Sequence, residues 1–461
     1  MFAGRKILVV GAGKTGVATS NFLARRGALV TLTDIKPSAE LKESLAGLPP
    51  GVKFVLGGYP PVTPALWDLV VVSPGVPPAA APVAAARTAG IPVTGELELA
   101  FRLTRATVVA ITGTNGKTTT TALTGEIFRQ AGRRVVVGGN IGLPLIDRVE
   151  VLGPEDVIVA EVSSFQLATT ETFHPRVAVI LNITPDHLDW HGTFAAYVEA
   201  KARIFARQGP EDFTVLNLDD DVTAALAGRT AGRVIFFSRK HTVSRGAFVQ
   251  AGRIVVADGG VTRKVCAVDD LPLPGAHNLE NALAAVAAAW AVGVEPQDIA
   301  RALRTFRGVP HRLELVAEHN GVKYVNDSKG TNPDAAIKAL EAYDIPIVLI
   351  AGGRHKGGSF ASFAARVKEK VRVLVLLGEC AGEIEAAVRA QGFTDILRAA
   401  SLPEAVTLAH QAARPGEVVL LSPACASWDM FASYEERGDL FKKVVRELVE
   451  GEVRGGTQKG G

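Results

Sequence analysis

Residues 107–120 read TVVAITGTNGKTTT, and this stretch decides the fold class. A short apolar run rich in β-branched residues ends at a glycine-containing loop, and a helical segment follows the loop. Backbone N–H groups and the positive end of a helix dipole bind anionic oxygens, so a strand, glycine loop and helix in this order suit a phosphate. The stretch therefore predicts an α/β domain with a nucleotide phosphate site at the end of a buried strand.

Two side chains of this loop have predicted roles in phosphate binding. Lys117 would reach the β- and γ-phosphates, and the Thr118 hydroxyl would bind Mg²⁺. The usual pattern, G-x-x-x-x-G-K-[ST], places a glycine where this chain has Ile111, and Gly113 lies two residues further on. The loop is therefore a variant. The alternative interpretation is a strand–helix turn that contains Gly-Lys-Thr without binding phosphate.

On both sides of this loop, short apolar strands alternate with amphipathic helical segments, which predicts parallel sheets with helical crossovers. Over 461 residues the pattern predicts three α/β domains. These are a Rossmann-like domain at 1–96, a central P-loop ATPase-like domain at 97–307 and a Rossmann-like domain at 308–461. A small antiparallel insert is expected near 234–268. The main predicted strands are 6–10, 29–33, 69–72, 107–112, 157–160, 178–181, 346–351, 371–377 and 418–421.

Composition excludes several classes of function. The net charge is only +3 and basic residues are spread along the chain, so no nucleic-acid partner is expected. Cys266, Cys380 and Cys425 lie far apart in sequence without a CxxC pair, which argues against a disulfide framework or a structural zinc site. We see no signal-peptide pattern and no apolar run of about 18 residues. We therefore expect a cytoplasmic protein without membrane insertion.

A second glycine loop, GAGKTG at 11–16, follows the first predicted strand, and Asp34 lies at the end of the next one. Taken alone, this is the fingerprint of NAD(P)-binding domains. The loop also carries Lys14 and Thr15 beside the phosphate position, so we favour another nucleotide diphosphate and keep NAD(P) as the alternative. Residues 73–75, Ser-Pro-Gly, follow a later strand and would add backbone N–H groups to the same crevice.

Polar residues after two further strands are candidate metal ligands. Glu161 ends a predicted strand, where a carboxylate can face a neighbouring nucleotide, and Mg²⁺ bound to ATP needs few carboxylates. A helix cap or an ion pair is the alternative for Glu161. Residues 186–191 read DHLDWH, with Asp186, His187, Asp189 and His191.

The HxxxH spacing in DHLDWH could indicate a zinc helix, but Leu188 stands where HExxH requires glutamate, and a loop is the expected setting. Zinc-dependent hydrolysis stays an alternative. For His191, the alternative is a loop histidine that is hydrogen-bonded within the protein and has no role in metal binding. For Lys201, in VEAKARIF, the alternative is a surface lysine whose stem covers apolar neighbours.

Taken in order, these motifs resemble the Mur ligase family of peptidoglycan synthesis. The resemblance covers nearly the whole chain and runs through these segments: GAGKTG, SPG, GTNGKTT, GGNIG, EVSSFQL, TPDH, EAKARI, GAHNLENALAA, PHRLE, NDSKGTN, GGRHKGG and SPACASWDMF. The L-alanine-adding member usually reads GTHGKT and DDYGHHP where this chain has GTNGKT and NDSKGTN. Folylpolyglutamate synthase shares the phosphate loop but lacks the GxGxxG domain.

The resemblance implies an ATP- and Mg²⁺-dependent ligase. Its expected substrates are UDP-N-acetylmuramoyl-L-alanine, D-glutamate and ATP, and its expected intermediate is an acyl phosphate. It also implies a monomer whose three domains close around the substrates. The alternatives are a sister ligase for another amino acid, a nicotinamide oxidoreductase and a P-loop ATPase acting as a binding module.

The resemblance also assigns residues. It implies Lys117, His187 and Lys201 as catalytic, with Lys201 carbamylated, and two Mg²⁺ ions held by Thr118, Glu161, His187 and Lys201. Nucleotide-binding residues would be Gly113, Thr114, Asn115, Gly116, Lys117, Thr118, Thr119, Asn278, Asn281, Arg312 and Asp327. Substrate-binding residues would be Thr15, Asp34, Lys36, Ser73, Pro74, Gly75, Asn140, Lys329, Thr331, Lys356, Ser427 and Tyr434. Trp428, Tyr434 and Arg354 depart from what relatives often carry.

Overall fold

The computed structural model describes residues 2–45, 47–142, 144–273, 275–355 and 359–457, with the side chains of 42–44, 189, 334 and 452–457 left out. The chain forms two compact units, Met1–Phe306 and Arg307–Gly461. The first unit contains two sheets and the second contains one. The division of the first unit into domains at 1–96 and 97–307 stays a prediction.

The first sheet is fully parallel, with strand order β3-β2-β1-β4-β5. Its buried strands are runs of Val, Leu and Ile, as expected for a sheet covered on both faces. Its elements are β1 (Lys6–Val10), α1 (Lys14–Arg25), β2 (Leu29–Asp34), α2 (Ser38–Leu45), β3 (Lys53–Leu56), β4 (Leu69–Val72), α3 (Ala81–Thr88), β5 (Val93–Gly95) and α4 (Glu96–Leu103).

Helix α4 joins this sheet to the next one through a shared core. Leu97, Leu99 and Ala100 are buried among side chains of both sheets. The Glu98 carboxylate is also buried and accepts the backbone N–H groups of Glu171, Thr172 and Phe173. A buried carboxylate is tolerated when its lone pairs are satisfied in this way. Helix α4 is therefore held between the two sheets by apolar packing and by the hydrogen bonds of Glu98.

The central sheet has nine strands in the order β14-β13-β12-β11-β10-β9-β6-β8-β7. Its elements are β6 (Thr107–Thr112), α5 (Lys117–Gln130), β7 (Val135–Gly139), β8 (Val157–Glu161), α6 (Ser164–Leu167), β9 (Val177–Ile180), α7 (Leu188–His191), α8 (Phe194–Ala202), β10 (Phe213–Asn217), α9 (Asp221–Ala224), β11 (Arg233–Ser238), β12 (Gly246–Gln250), β13 (Arg253–Asp258), β14 (Val261–Ala267), α10 (Ala276–Ala291) and α11 (Pro296–Thr305). The observed strands near 234–268 differ from the predicted antiparallel insert. Strands β11 and β12 pair in parallel, only β12–β14 are antiparallel, and they extend the central sheet.

The third sheet has the order β15-β16-β20-β17-β18-β19 and is parallel except for its edge strand β15. Its elements are β15 (Glu314–His319), β16 (Val322–Asn326), α12 (Pro333–Glu341), β17 (Ile347–Gly352), α13 (Ala361–Lys370), β18 (Val371–Leu377), α14 (Ala381–Ala390), β19 (Ile396–Arg398), α15 (Leu402–Ala412), β20 (Val418–Leu421) and α16 (Tyr434–Thr457). Within the described residues, no helix combines the length and apolar character needed to cross a membrane.

Candidate active site

The phosphate loop connects β6 to α5, which begins at Lys117. Gly116 has a φ of +82°, and a Cβ there would overlap the amide oxygen of Asn281. The loop therefore requires glycine at this position. The Lys117 ammonium lies over the loop and donates to the carbonyl oxygens of Gly113 (2.9 Å) and Thr114 (2.8 Å). A preformed loop, a helix N-terminus and a lysine thus meet where the sequence predicts a phosphate.

Neighbouring strands bring two further chain segments to the same edge of the sheet. Ile111 of β6 pairs with Glu161 of β8, and Glu161 pairs with Gly139 of β7. The backbone N–H of Asn140 donates to the Glu161 carbonyl oxygen (2.8 Å), and its side-chain amide donates to the Glu161 Oε1 atom (2.9 Å). In parallel sheets the carboxyl ends of strands form the ligand-binding crevice. The structure therefore places Asn140, Glu161 and the phosphate loop together.

The Glu161 carboxylate has the properties of a cation ligand. The residue is only 2% exposed, and its Oε2 atom is buried without a hydrogen-bond partner among the described residues. Leaving a buried charged oxygen unpaired is costly, so a partner that brings positive charge would stabilise it. Thr118, the second expected ligand, is buried in the first turn of α5. Oxygen donors of this kind suit Mg²⁺.

Lys201 lies in the same crevice, and the surface-lysine interpretation is wrong. The residue is 2% exposed, its ammonium donates to the Gly113 carbonyl oxygen (2.7 Å) and it lies 4.6 Å from the centre of the Tyr197 ring. Burial is the main factor that lowers the pKa of Lys201 to about 7, and repulsion from Lys117 adds to it. The nearby Asp186 and Glu161 act in the opposite direction. A buried lysine of this kind has an increased fraction of neutral amine.

The two histidines of DHLDWH have different surroundings. His187 precedes the short helix α7 with a φ of +53°, its side chain is 48% exposed, and its Nε2 atom lies 3.7 Å from Asp186 Oδ2. The His191 Nε2 atom lies 2.9 Å from the Ser164 hydroxyl, and its ring stacks on Phe165. The hydrogen bond and the ring stacking thus account for His191 without a metal. It lies in a single helical turn, Leu188–His191, where a loop was expected.

The zinc alternative gains no support from the described side chains, which leave out Asp189. They include no group of three or more His, Cys, Asp or Glu residues placed to hold a metal ion.

The first glycine loop is held by side chains from two other strand ends. The Ala12 N–H donates to Asp34 Oδ2 (2.7 Å), and the Lys36 N–H donates to Asp34 Oδ1 (2.9 Å). The Ser73 hydroxyl donates to the Gly11 carbonyl oxygen (3.0 Å). Asp34 therefore holds the loop through Oδ2, while Oδ1 orders the chain two residues after Asp34 itself. The expected substrate contacts of these residues, and of the neighbouring Thr15, Pro74 and Gly75, stay predictions.

Helix α10 carries the two asparagines expected near the nucleotide base. Asn281 is buried against the phosphate loop, and its Oδ1 atom accepts a hydrogen bond from the Thr120 hydroxyl (3.3 Å). Asn278 lines an adjacent cleft whose other walls are mostly apolar, among them Leu271, Pro272 and Phe306. Adenine binding there stays a prediction.

In the second unit, Asp327 follows β16 and is 5% exposed. Its oxygens accept hydrogen bonds from the Ser422 hydroxyl (2.8 Å) and the Leu313 N–H (3.2 Å). Burial raises the pKa of Asp327 to about 6, although these bonds and the charges of Arg312 and Arg437 oppose the shift. Asp327 and the exposed Arg312 therefore place opposite charges close together in this unit.

Two loops of the second unit carry most of the predicted amino-acid-binding residues. The first holds Lys329 and Thr331. The second holds Ser427, which is 2% exposed and whose backbone carbonyl oxygen accepts the N–H groups of Met430 and Phe431. The Tyr434 carbonyl oxygen accepts a hydrogen bond from the Ser328 hydroxyl (2.8 Å), so α16 begins beside the first loop. Lys356 lies outside the described residues.

Arg354 and Trp428 are two of the residues that differ from those that relatives often carry. Arg354 forms a two-point ion pair with Glu379. Trp428 is 60% exposed.

Three domain families match the chain in order. A Mur ligase MurD-like N-terminal domain matches residues 5–95, a Mur ligase middle domain matches 111–289, and a Mur ligase glutamate ligase domain matches 311–425. The chain belongs to the Mur ligase family. This result confirms the resemblance and the predicted three-part α/β fold.

Full-length relatives refine this placement. The UDP-N-acetylmuramoylalanine–D-glutamate ligase of Pelotomaculum thermopropionicum is 60% identical over 98% of this chain and 99% of its own. The enzyme of the same name from Clostridioides difficile is 46% identical over 96% and 99%. Among solved structures, UDP-N-acetylmuramate-alanine ligase MurC from Thermotoga maritima is 20% identical, with a TM-score of 0.55, over 96% of this chain and 100% of its own. At that identity the structural likeness shows the fold alone.

The Mur ligase fold also positions residues that the sequence interpretation did not assign. The Asn182 side chain accepts the Asn115 N–H (2.9 Å) and donates to its carbonyl oxygen (3.2 Å). The Tyr197 hydroxyl lies 3.2 Å from the Thr114 hydroxyl. Asn182 comes two residues after β9, a buried strand next to β6 in the sheet, and this placement was the available signal. The sequence around Tyr197 predicts only that it belongs to the apolar face of a helix and does not indicate its contact with Thr114.

Proposed function

We propose that this chain is an ATP-dependent ligase that joins D-glutamate to UDP-N-acetylmuramoyl-L-alanine. The observation that carries the proposal is the pair of buried residues Glu161 and Lys201 beside the phosphate loop, with Asn140 bonded to Glu161. This group combines an unpaired carboxylate oxygen with a lysine at a nucleotide site, which suits activation of a carboxylate by ATP. The names of the full-length relatives support the choice of substrates.

The reaction has two steps because an amine does not displace oxygen from a carboxylate. An oxygen of the alanyl carboxylate attacks the γ-phosphorus of ATP, and ADP leaves. The D-glutamate amine then attacks the acyl carbon, phosphate leaves and the nitrogen loses a proton. Lys117 neutralises charge on the transferred phosphoryl group, and Asn140 holds Glu161 in position. Electrostatic stabilisation of this kind often contributes more to the rate than any other catalytic effect.

The described residues fit a divalent cation at this site. Glu161 and Thr118 would hold Mg²⁺, with His187 close to a second ion. When bound, Mg²⁺ would neutralise phosphate charge and orient the phosphoryl oxygens. The unpaired Oε2 atom of Glu161 supports the assignment. The number of ions is part of the proposal.

We propose further that Lys201 is carbamylated in the active protein. An ammonium buried near Lys117 is repelled by it, whereas a carbamate is an anion that would attract both Lys117 and Mg²⁺. A carbamate nitrogen keeps one N–H, so the bond to the Gly113 carbonyl oxygen can persist. The exclusion of Lys201 from solvent would protect the modification.

The first sheet should bind the uridine diphosphate part of the substrate. Asp34 accepts the Ala12 N–H and so holds the glycine loop, where Lys14 and Thr15 add polar groups beside the proposed diphosphate position. Calorimetric titration should therefore detect UDP-N-acetylmuramoyl-L-alanine and no NAD(H). Ser73→Ala, which removes the bond to Gly11, should weaken substrate binding several-fold, and Thr88→Ala, at an exposed position of α3, is the matched control. Tight NAD(H) binding without UDP-sugar binding would contradict the assignment.

Selection of the amino acid is assigned to the second unit. Thr331, Ser427 and Tyr434 offer hydroxyl groups, while Lys329 and Lys356 offer charges for the two carboxylates of D-glutamate. Burial and a hydrogen bond with Glu435 raise the pKa of Tyr434 to about 12, so its hydroxyl would have to leave Glu435 to donate to the substrate. A neutral amide would leave a lysine aimed at it unpaired, so D-glutamine should be rejected strongly.

A panel of amino acids tests the proposed function directly. Phosphate release should require both UDP-N-acetylmuramoyl-L-alanine and D-glutamate, because the second step consumes the acyl phosphate. We expect D-glutamate to exceed D-glutamine, L-alanine, L-lysine and meso-diaminopimelate by at least about tenfold in kcat/KM. A higher rate with one of these amino acids would contradict the assignment of D-glutamate, while the proposed ligase mechanism would stand. Phosphate release from ATP in the absence of both UDP-N-acetylmuramoyl-L-alanine and an amino acid would support an ATPase module instead. The expected monomeric state stays a prediction.

A further inference from the structure

Two of the three cysteines meet in the second unit, although 45 residues separate them in sequence. Their sulfur atoms lie 2.7 Å apart, and each residue is 1% exposed. A disulfide requires about 2.05 Å between the sulfurs. Both cysteines are free thiols in this structure. Cysteines that are distant in sequence thus meet in the fold, because strands β18 and β20 carry the two following loops to the same edge of the sheet.

The cysteine pair lies among loops that carry proposed amino-acid-binding residues. Cys425 is two residues before Ser427, and the adjacent Ala426 forms a two-bond bridge with Arg354 (2.9 and 3.0 Å). Cys380 precedes α14, and its N–H donates to the Gly353 carbonyl oxygen (2.9 Å). The sulfur pair thus connects a loop that leads to Lys356 with the loop that contains Ser427.

The segment around Cys380 touches both loops at three more points. Glu379 pairs with Arg354 (2.8 and 3.0 Å), and its N–H donates to Asp429 Oδ2 (3.0 Å). Glu383, in the first turn of α14, pairs with His355 Nδ1 (2.9 Å). A change in the spacing of Cys380 and Cys425 would therefore shift Arg354, His355 and Asp429, which lie within two residues in sequence of the proposed binding residues Lys356 and Ser427. A misplacement of about 1 Å can cost about 10²-fold in rate.

We propose that Cys380 and Cys425 form a reversible disulfide under oxidation by peroxide, and that this bond weakens binding of the amino acid substrate. The regulatory half of the proposal rests on the proposed function. In the first step, the Cys380 sulfur attacks one peroxide oxygen, the O–O bond breaks and water leaves, which produces a sulfenic acid. The Cys425 sulfur then attacks the Cys380 sulfur and a second water leaves. The pair loses two electrons and two protons, and one peroxide is reduced to two waters.

The surroundings favour Cys380 as the attacking sulfur. The hydrogen bond from the Cys425 thiol lowers the pKa of Cys380, and the same bond together with burial raises the pKa of Cys425. The thiolate is the nucleophilic form of cysteine. Peroxide is small enough to reach a buried thiol after a local opening, whereas a protein oxidant is not. Cys266, buried in the first unit with a pKa raised to about 11 mainly by burial, provides an internal control.

The test uses the full-length protein, reduced and then treated with hydrogen peroxide. After denaturing alkylation, mass spectrometry should count three alkylated cysteines before treatment and one after it, with the 380–425 cross-link found by peptide mapping. A dithiol reductant should restore all three. Cys380→Ala and Cys425→Ala should each abolish the cross-link, and Cys266→Ala should leave it unchanged. Failure to form the cross-link, or sulfinic acid on a single cysteine, would overturn the proposal.

Kinetics test the consequence of the bond. Oxidation should raise the KM for D-glutamate about tenfold, leave the KM for ATP within about twofold and be reversed by reduction. Cys380→Ala should be insensitive to peroxide. An oxidised, cross-linked protein with an unchanged KM for D-glutamate would overturn the regulatory half. Absence of ligase activity in the reduced protein would count against the proposed function, while the mass measurements would still decide whether the disulfide forms.

Discussion

Lys117→Ala should reduce turnover by at least about 10²–10³-fold, because it removes one preorganised charge from the site of phosphoryl transfer. The Lys117 ammonium lies within 2.9 Å of the Gly113 and Thr114 carbonyl oxygens, directly over the loop. The measurement is phosphate release with UDP-N-acetylmuramoyl-L-alanine, ATP and D-glutamate at saturation. Lys117→Met keeps most of the apolar stem and should lose a similar factor, which would assign the loss to the charge.

Lys264→Ala is the matched control for the phosphate loop. Lys264 is exposed on β14, at the far edge of the same sheet, so its removal should change kcat by less than about twofold. Circular dichroism should show that all three variants are folded. Near-normal turnover by Lys117→Ala would remove this lysine from the mechanism and return the loop to the interpretation of a strand–helix turn.

Lys201→Ala should be nearly inactive, with a loss of at least about 10²-fold, because the proposed carbamate supplies negative charge that alanine cannot. A short carboxylic acid should enter the space left by the side chain and restore part of the activity. Mass spectrometry of the native protein in bicarbonate should show the added mass of one CO₂, and Lys201→Ala should lack it. The rescue measurement separates a missing anion from a general loss of packing.

The control for the rescue is Lys117→Ala, whose missing group is a cation. The same carboxylic acids should not restore activity there, since an added anion cannot replace an ammonium. Because Lys201 is buried, thermal unfolding of Lys201→Ala should be measured alongside. Full activity of Lys201→Ala, or rescue of both variants to the same extent, would contradict the carbamate proposal.

Much of the fold follows from local sequence patterns. The predicted strands at 6–10, 69–72, 107–112, 371–377 and 418–421 are observed with the same bounds, and the other main strands differ by one residue at one or both ends. These strands are buried runs of β-branched and aliphatic residues bounded by glycine or polar residues, so their short length, composition and flanking residues identify them. The phosphate loop is equally local, because its strand, glycines and helix start are contiguous.

Contacts between distant segments could not be predicted in the same way. Helical spacing places Lys201 on the same face as Tyr197, but only the packing of α8 against the end of β6 excludes it from water. Strand order decides that Asn140 meets Glu161. The antiparallel strands near residue 250 extend the central sheet because β11 pairs in parallel with β10, which composition does not reveal.

The sequence by itself therefore determined the α/β class, the two glycine loops and the membership in the Mur ligase family, because each depends on contiguous residues or on their order. Tertiary structure alone decided that Lys201 is buried, that Asp34 Oδ2 accepts the Ala12 N–H and that Cys380 meets Cys425. Burial and pairing of this kind arise when crossover connections place separate strand ends side by side. No local periodicity encodes which ends become neighbours.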